Sequence, residues 1–168
     1  MAYFHRYYWP LYGAATATDT IRQQIIAAVA ARLATIQTVN GYRTDIGLYI
    51  AEWDTVPMDQ AVNTMLLEYR DETEDRIDVT VGQQDMILPV TLRVRVADNT
   101  DGAALSTLRD ILADAALCML GVDVTWGGLA NDTNQDGPAT TDKAQAADTA
   151  ASAVIKFRIE YSVDRGES

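Results

Sequence analysis

One cysteine, Cys118, and one histidine, His5, are all that this chain of 168 residues offers to thiol and imidazole chemistry. A lone thiol cannot form an intrachain disulfide. A cysteine nucleophile needs a base beside it, and the only imidazole sits near the N-terminus. Cys118 lies in the apolar stretch Ala115-Ala116-Leu117-Cys118-Met119-Leu120, which fits a buried core thiol. No Ser/His/Asp set can be assembled either, since His5 would have to supply every base. No apolar run is long enough to span a bilayer. The first residues are aromatic rather than basic-then-apolar, so no export signal is expected and the chain is expected to act where it is made, or in a particle built there. Positive charge is scarce as well. Lys and Arg number 13 against 24 Asp and Glu, giving a net charge of −11 and a pI near 4.3. Gripping nucleic-acid phosphates needs clustered cations, so such binding is not expected. An acidic wall repels DNA and does not stick to it, so DNA as a passing neighbour stays open, as does an ordinary solvated surface.

What is present is apolar content of 48%, enough for a core at this length, and a length that suits one domain. Residues 1–17 form an aromatic arm with Tyr7, Tyr8, Trp9 and Tyr12, punctuated by Pro10 and Gly13. It has neither helical nor strand periodicity. Aromatics this dense suggest an anchor, either the body of the same subunit or a neighbour. The remaining domain, 18–168, begins with an amphipathic helix over 19–39. Ile21, Ile25, Val29, Leu33 and Ile36 recur every three or four residues. Thr20 and Gln23 have capping-box spacing, and Asn40-Gly41 gives a C-terminal stop.

A strand is expected over 43–53 with Ile46, Leu48 and Ile50 on one face, followed by a connector with a possible helical turn at 58–63. Met65 to Val81 and Ile87 to Ala97 read as a long antiparallel hairpin around a turn at Gly82–Asp85. In its second arm Leu92, Val94 and Val96 face one way and Thr91, Arg93 and Arg95 the other. Pro89 fits a strand edge or a strand start. A second helix is expected over 102–120, with Leu105, Leu108, Leu112, Ala115 and Met119 buried. A short extended piece at 122–126 and a long polar connection at 127–150 follow. The final strand, 153–163, puts Ile155, Phe157, Ile159, Tyr161 and Val163 on one side. The fold class is therefore α+β, a mostly antiparallel sheet with two amphipathic helices packed on one face.

Candidate chemistry is thin. Asp132-Thr133-Asn134-Gln135-Asp136-Gly137 opens like a calcium loop, but Lys143 stands where a bidentate Glu is needed, so a polar turn is the expected reading and no metal or other cofactor is called for. The densest charge run holds Glu68, Asp71, Glu72, Glu74 and Asp75 among Arg70 and Arg76. Nothing in the sequence suggests burial, which carboxylate acid/base work requires. The run is read as a solvated face, a conduit wall or a charged docking surface. No catalytic residue is assigned, and an enzyme is not expected.

The order of elements resembles the tail-terminator (tail-completion, or minor tail protein) family of long-tailed bacteriophages. The residues that carry the resemblance are the helix Thr20–Thr38, the stretch Tyr42–Trp53, and the acidic strand Leu66-Leu67-Glu68-Tyr69-Arg70-Asp71-Glu72. The alternating strand Leu88–Val96, the helix Ala103–Leu120 and the turn Trp126-Gly127-Gly128 complete it. The likeness spans roughly 19–163 and is one of order and texture. It implies a homohexameric ring that caps the tail tube, ends tube polymerisation and meets the head-side connector, with DNA passing through the lumen. On that reading the acidic run Glu68–Asp75 lines the lumen or docks, and Tyr7, Tyr8, Trp9 and Tyr12 contact a neighbour. Another ring component, such as a head-completion stopper or a tube subunit, and a non-viral intracellular binding domain stay open beside it.

Overall fold

The computed structural model describes residues 20–53, 65–79, 82–97, 103–143 and 150–164. The aromatic arm and the turn expected at 58–63 lie outside the described residues. Helix α1 spans Ile21–Leu33. Its start follows the spacing in the sequence: Gln23 N donates to Thr20 Oγ1 at 3.3 Å, and Thr20 N donates to Gln23 Oε1 at 2.8 Å. Its end differs from the expectation. The helix stops at Leu33, and Ile36 reaches the core from the turn beyond it. Gly41, with φ +90°, closes a separate 3-10 turn at Thr38–Asn40.

Much of the strand expected over 43–53 is a loop that satisfies its backbone elsewhere. Gly47 N donates to Ile36 O at 2.9 Å. A Cβ on Gly47 would stand 2.7–2.8 Å from the carbonyl oxygens of Leu33, Ala34 and Ile36, so only glycine lets this loop close on the helix end. The Asp114 carboxylate accepts from Arg43 N, Thr44 N and Thr44 Oγ1 at 2.8–3.1 Å. Ile46 is buried while Leu48 is 60% exposed, so the two do not share a face. Strand β1 is only Ile50–Glu52 and runs parallel to β2, Met65–Asp71.

Strand β3 (Asp75–Val79) follows β2, and both pair antiparallel with the long strand β4 (Gln83–Ala97). The expected hairpin is present, with its first arm interrupted at residues 72–74. Pro89 lies in the middle of β4, not at its start. β2 and β3 leave the ladder opposite it, and Glu72 N donates to Pro89 O at 2.9 Å. A residue without an N–H is tolerated in an inner strand where the neighbour's pairing is already broken.

Strand β4 pairs along its whole length with the last strand, here Ala150–Asp164, from Gln83↔Asp164 to Ala97↔Ala150. Helix α2, Ala103–Leu120, buries Ala104, Leu108, Ile111, Ala115, Cys118 and Met119. The stripe is rotated from the expected one: Leu105 is exposed and Leu112 only half-buried, while Ile111 and Cys118 point inward. The expected extended piece at 122–126 is instead a tight turn leading into a 3-10 segment at Trp126–Gly128. The polar connection holds two strands, β5 (Asp132–Gln135) and β6 (Thr140–Lys143), both paired with the last strand, β7. The calcium-like sequence is therefore mostly edge strand: Asp132 Oδ1 accepts from Thr133 N at 2.8 Å, and Asp132 Oδ2 from Asn134 Nδ2 at 2.8 Å.

The result is a strand-dominated α+β fold, a mixed seven-stranded sheet with helices on one side. Leu88, Val90, Leu92 and Val94 of β4 and Ile155, Phe157 and Ile159 of β7 form the inner face and are buried with Ile25, Val29 and Leu33 of α1. The strand alternation in the sequence predicts this face correctly.

Candidate functional site

The other face of the sheet carries most of the charge chemistry. Register places Glu68 and Arg70 of β2, Thr91, Arg93 and Arg95 of β4, and Val154, Lys156 and Arg158 of β7 on it. Glu68 is 0% exposed, which corrects its expected place on a solvated or lumen-lining strip. Arg93 Nε donates to its Oε2 at 2.6 Å, and Arg95 Nη2 stands 2.9 Å from its Oε1. A buried carboxylate is tolerable only when cations of this kind compensate its lost hydration. The Trp53 indole is stacked between Arg93 and Arg70, whose guanidinium carbons lie 3.8 and 4.3 Å from the ring centre. Arg93 and Arg95 thus neutralise Glu68, and Arg93 is itself held against the Trp53 ring.

The rest of the acidic run divides between the two faces. Glu72 stays on the outer face, where Thr91 Oγ1 donates to it at 2.7 Å, with Arg70 at 3.5 Å and Lys156 at 3.8 Å. The Thr91 hydrogen bond, more than the nearby cations, holds the Glu72 carboxyl below its ordinary range. Asp71 turns to the helix side and accepts from Arg22 of α1. Glu74 also turns that way. It accepts from the Tyr161 hydroxyl and lies 3.7 Å from Arg22. Burial, then the Glu74 carboxylate, push the Tyr161 phenol upward. Arg22, Glu74 and Tyr161 rim a cleft of about 180 Å³ with Thr20, Gln84 and Met86. Asp75 alone of the five keeps the exposed position expected of it.

A second cation–aromatic cluster holds the connection after α2. The Arg32 guanidinium lies 3.7 Å from the centre of the Trp126 ring, whose Nε1 donates to Thr133 Oγ1 at 2.7 Å. Trp126 adopts φ +55°, unusual for a bulky residue. Asp123 fixes that turn by accepting from Thr125 N, Thr125 Oγ1 and Gly127 N at 2.6–2.8 Å. These bonds, the Thr125 hydroxyl first, lower the Asp123 carboxyl to about 2. Cys118 is fully buried, and burial pushes its thiol up, away from nucleophile behaviour.

Among the described residues no group of three or more His, Cys, Asp or Glu is placed to hold a metal ion, and no helix is long and apolar enough to cross a membrane. The sequence reading missed the Glu68 clamp. Its signal was available: alternation puts Glu68, Arg93 and Arg95 on one face once the two strands are paired, but the register that sets Glu68 against Arg93 is not written in either strand alone.

No known family profile matches the chain, and no curated protein matches it. Among solved structures it is similar to a chain of the virion of a native gene transfer agent (GTA) particle. That match has 17% identity and a TM-score of 0.44, and covers 86% of this chain and 92% of the other.

Proposed function

We propose that this chain is a structural, non-enzymatic virion protein of the tail-terminator kind. In this reading copies close into a ring that ends tail-tube growth and joins the tube to the head-side connector. The observation that supports it best is the one-sided sheet. Helices bury one face, while the other presents a broad set of charged side chains with paired strands out to short edges, β1 on one side and β5 and β6 on the other. Such a subunit is suited to contacts between rigid faces. The chain's net charge of −11 makes any ring strongly acidic, which suits a lumen that DNA passes without binding. Tyr7, Tyr8, Trp9 and Tyr12 are proposed to contact a neighbouring copy or the connector.

The test is native mass over a wide concentration range, with and without magnesium and added tail tubes, together with electron microscopy of the tube ends. Closed hexamers seated on tube ends are the expected result. A monomer under every condition would replace this reading with a binding domain. Open-ended polymers would identify a tube subunit instead.

A further inference from the structure

The outer face of the sheet is divided along the strands. Toward one end its positions hold Arg70, Arg93, Arg95, Lys156 and Arg158, five of the 13 cationic residues in the chain. The two carboxylates among them, Glu68 and Glu72, are engaged by members of the same set. Toward the other end the positions hold Asp75, Asp85, Asp132, Glu160 and Asp164. The described register positions of that end carry no Lys or Arg. Arg76 alternates to the opposite face, across from Met86.

Strand rise sets the separation. Arg93 and Asp85 are eight residues apart on β4, roughly 27 Å at about 3.4 Å per residue. Physiological salt screens exposed charges beyond about 8 Å, so the far ends of the face do not neutralise each other within one subunit; only at the boundary do opposite charges come close, where Arg158 and Glu160 stand two residues apart on β7, roughly 7 Å by the same rise. Five cations against two carboxylates leave the basic end with an excess of positive charge, and the acidic end of the same face carries the opposite excess.

We infer that the basic half of this face docks on the acidic half of the same face in a second copy of the chain. The exposed members Arg70 and Lys156 on one side and Asp75 and Asp164 on the other form the contact rim. Arg93 and Arg95, held by Glu68 and Trp53, are fixed in place before contact, which reduces the ordering cost of association. Charge of opposite sign across the contact orients the copies and excludes like-on-like pairing. Such a contact opposes the same face of two copies and pairs them about a two-fold axis, so it is distinct from the contacts that would close a ring and from what a ring would cap.

The experiment uses the full chain in three forms: wild type, Arg70→Glu/Lys156→Glu, and Asp75→Lys/Asp164→Lys. All four positions are exposed, and circular dichroism with urea midpoints checks that each form folds. Sedimentation velocity at low and high salt reads self-association. Wild type is expected to associate and to loosen with salt. Each variant alone is expected to associate about tenfold more weakly or worse, and an equimolar mixture of the two variants is expected to associate again. Variants that associate like wild type, a mixture that stays apart, or a wild type monomeric at low salt would each overturn the inference. Tube capping is scored separately. Capping by variants with unchanged association leaves the terminator reading standing without this contact. Charge-dependent association without capping removes the terminator reading and keeps the contact.

Discussion

The two faces of the β4–β7 ladder come from the same alternating sequence and are held by different physics. On the inner face Leu88, Val90, Leu92, Ile155, Phe157 and Ile159 are buried against the helices, and area removed from water stabilises them. On the outer face Glu68 and Thr91 are just as buried, at 0% and 1%, yet they are polar. Their burial is supported only by specific partners: Arg93 and Arg95 for Glu68, Glu72 for Thr91. Apolar packing tolerates changes of shape within limits, whereas a buried charge tolerates no loss of partner. Side-chain polarity therefore does not report burial in this sheet; pairing does.

The comparison is broken most directly from the inner side. Phe157→Ala removes the largest fully buried side chain among the described residues and is expected to cost about 3–5 kcal/mol, read as a drop in the urea midpoint. A loss below about 1 kcal/mol would mean that the inner face is not the core. From the outer side, Glu68→Ala leaves two facing cations without their carboxylate and is expected to cost about 3 kcal/mol. Asp75→Ala, an exposed acid seven residues on in the same run, should shift stability by no more than about 0.5 kcal/mol. Equal, small effects at Glu68 and Asp75 would return the whole run to a solvated surface and erase the contrast between its members.

That contrast also explains what was legible in the sequence. Both helices, the hairpin and the last strand were readable because period and capping are local: Thr20 with Gln23, and the alternation from Leu88 to Val96. Failures fell where a distant partner decides. Asp114 supplies the hydrogen bonds that let residues 43–44 leave a strand, and Gly47 fits a helix end that the local pattern does not mention. The polar residues 132–135 and 140–143 become strands because β7 offers them a free edge, a tertiary effect that overrides their weak propensity. Within the candidate face, Arg93 and Arg95 were placed on the correct side by alternation. Glu68 was misread because its identity suggests solvent and only its register opposite Arg93 says otherwise.

The smallest effect compares the outer face with the turn after α2, because each holds one carboxylate below its ordinary range. Asp123, in the Trp126 turn, is lowered to about 2 chiefly by hydrogen bonds from the Thr125 hydroxyl, Gly127 N and Thr125 N. Glu72, on the outer face, is lowered first by Thr91 and then by Lys156 and Arg70. The sign is the same for both. A depressed carboxyl adds stability that is present above its unfolded pKa, about 4, and is lost as pH falls through its folded value. Carbon-13 carboxyl titration by NMR should find Asp123 still ionised at pH 3 with a midpoint near 2, little moved by salt because hydrogen bonds dominate. The Glu72 midpoint should rise toward its ordinary value as salt screens Lys156 and Arg70, and rise further in Thr91→Val. An Asp123 midpoint near 4 would mean that the Thr125–Gly127 turn does not form in solution. A Glu72 midpoint unmoved by both salt and Thr91→Val would mean that the outer face does not hold its charges by the contacts that distinguish it from the inner one.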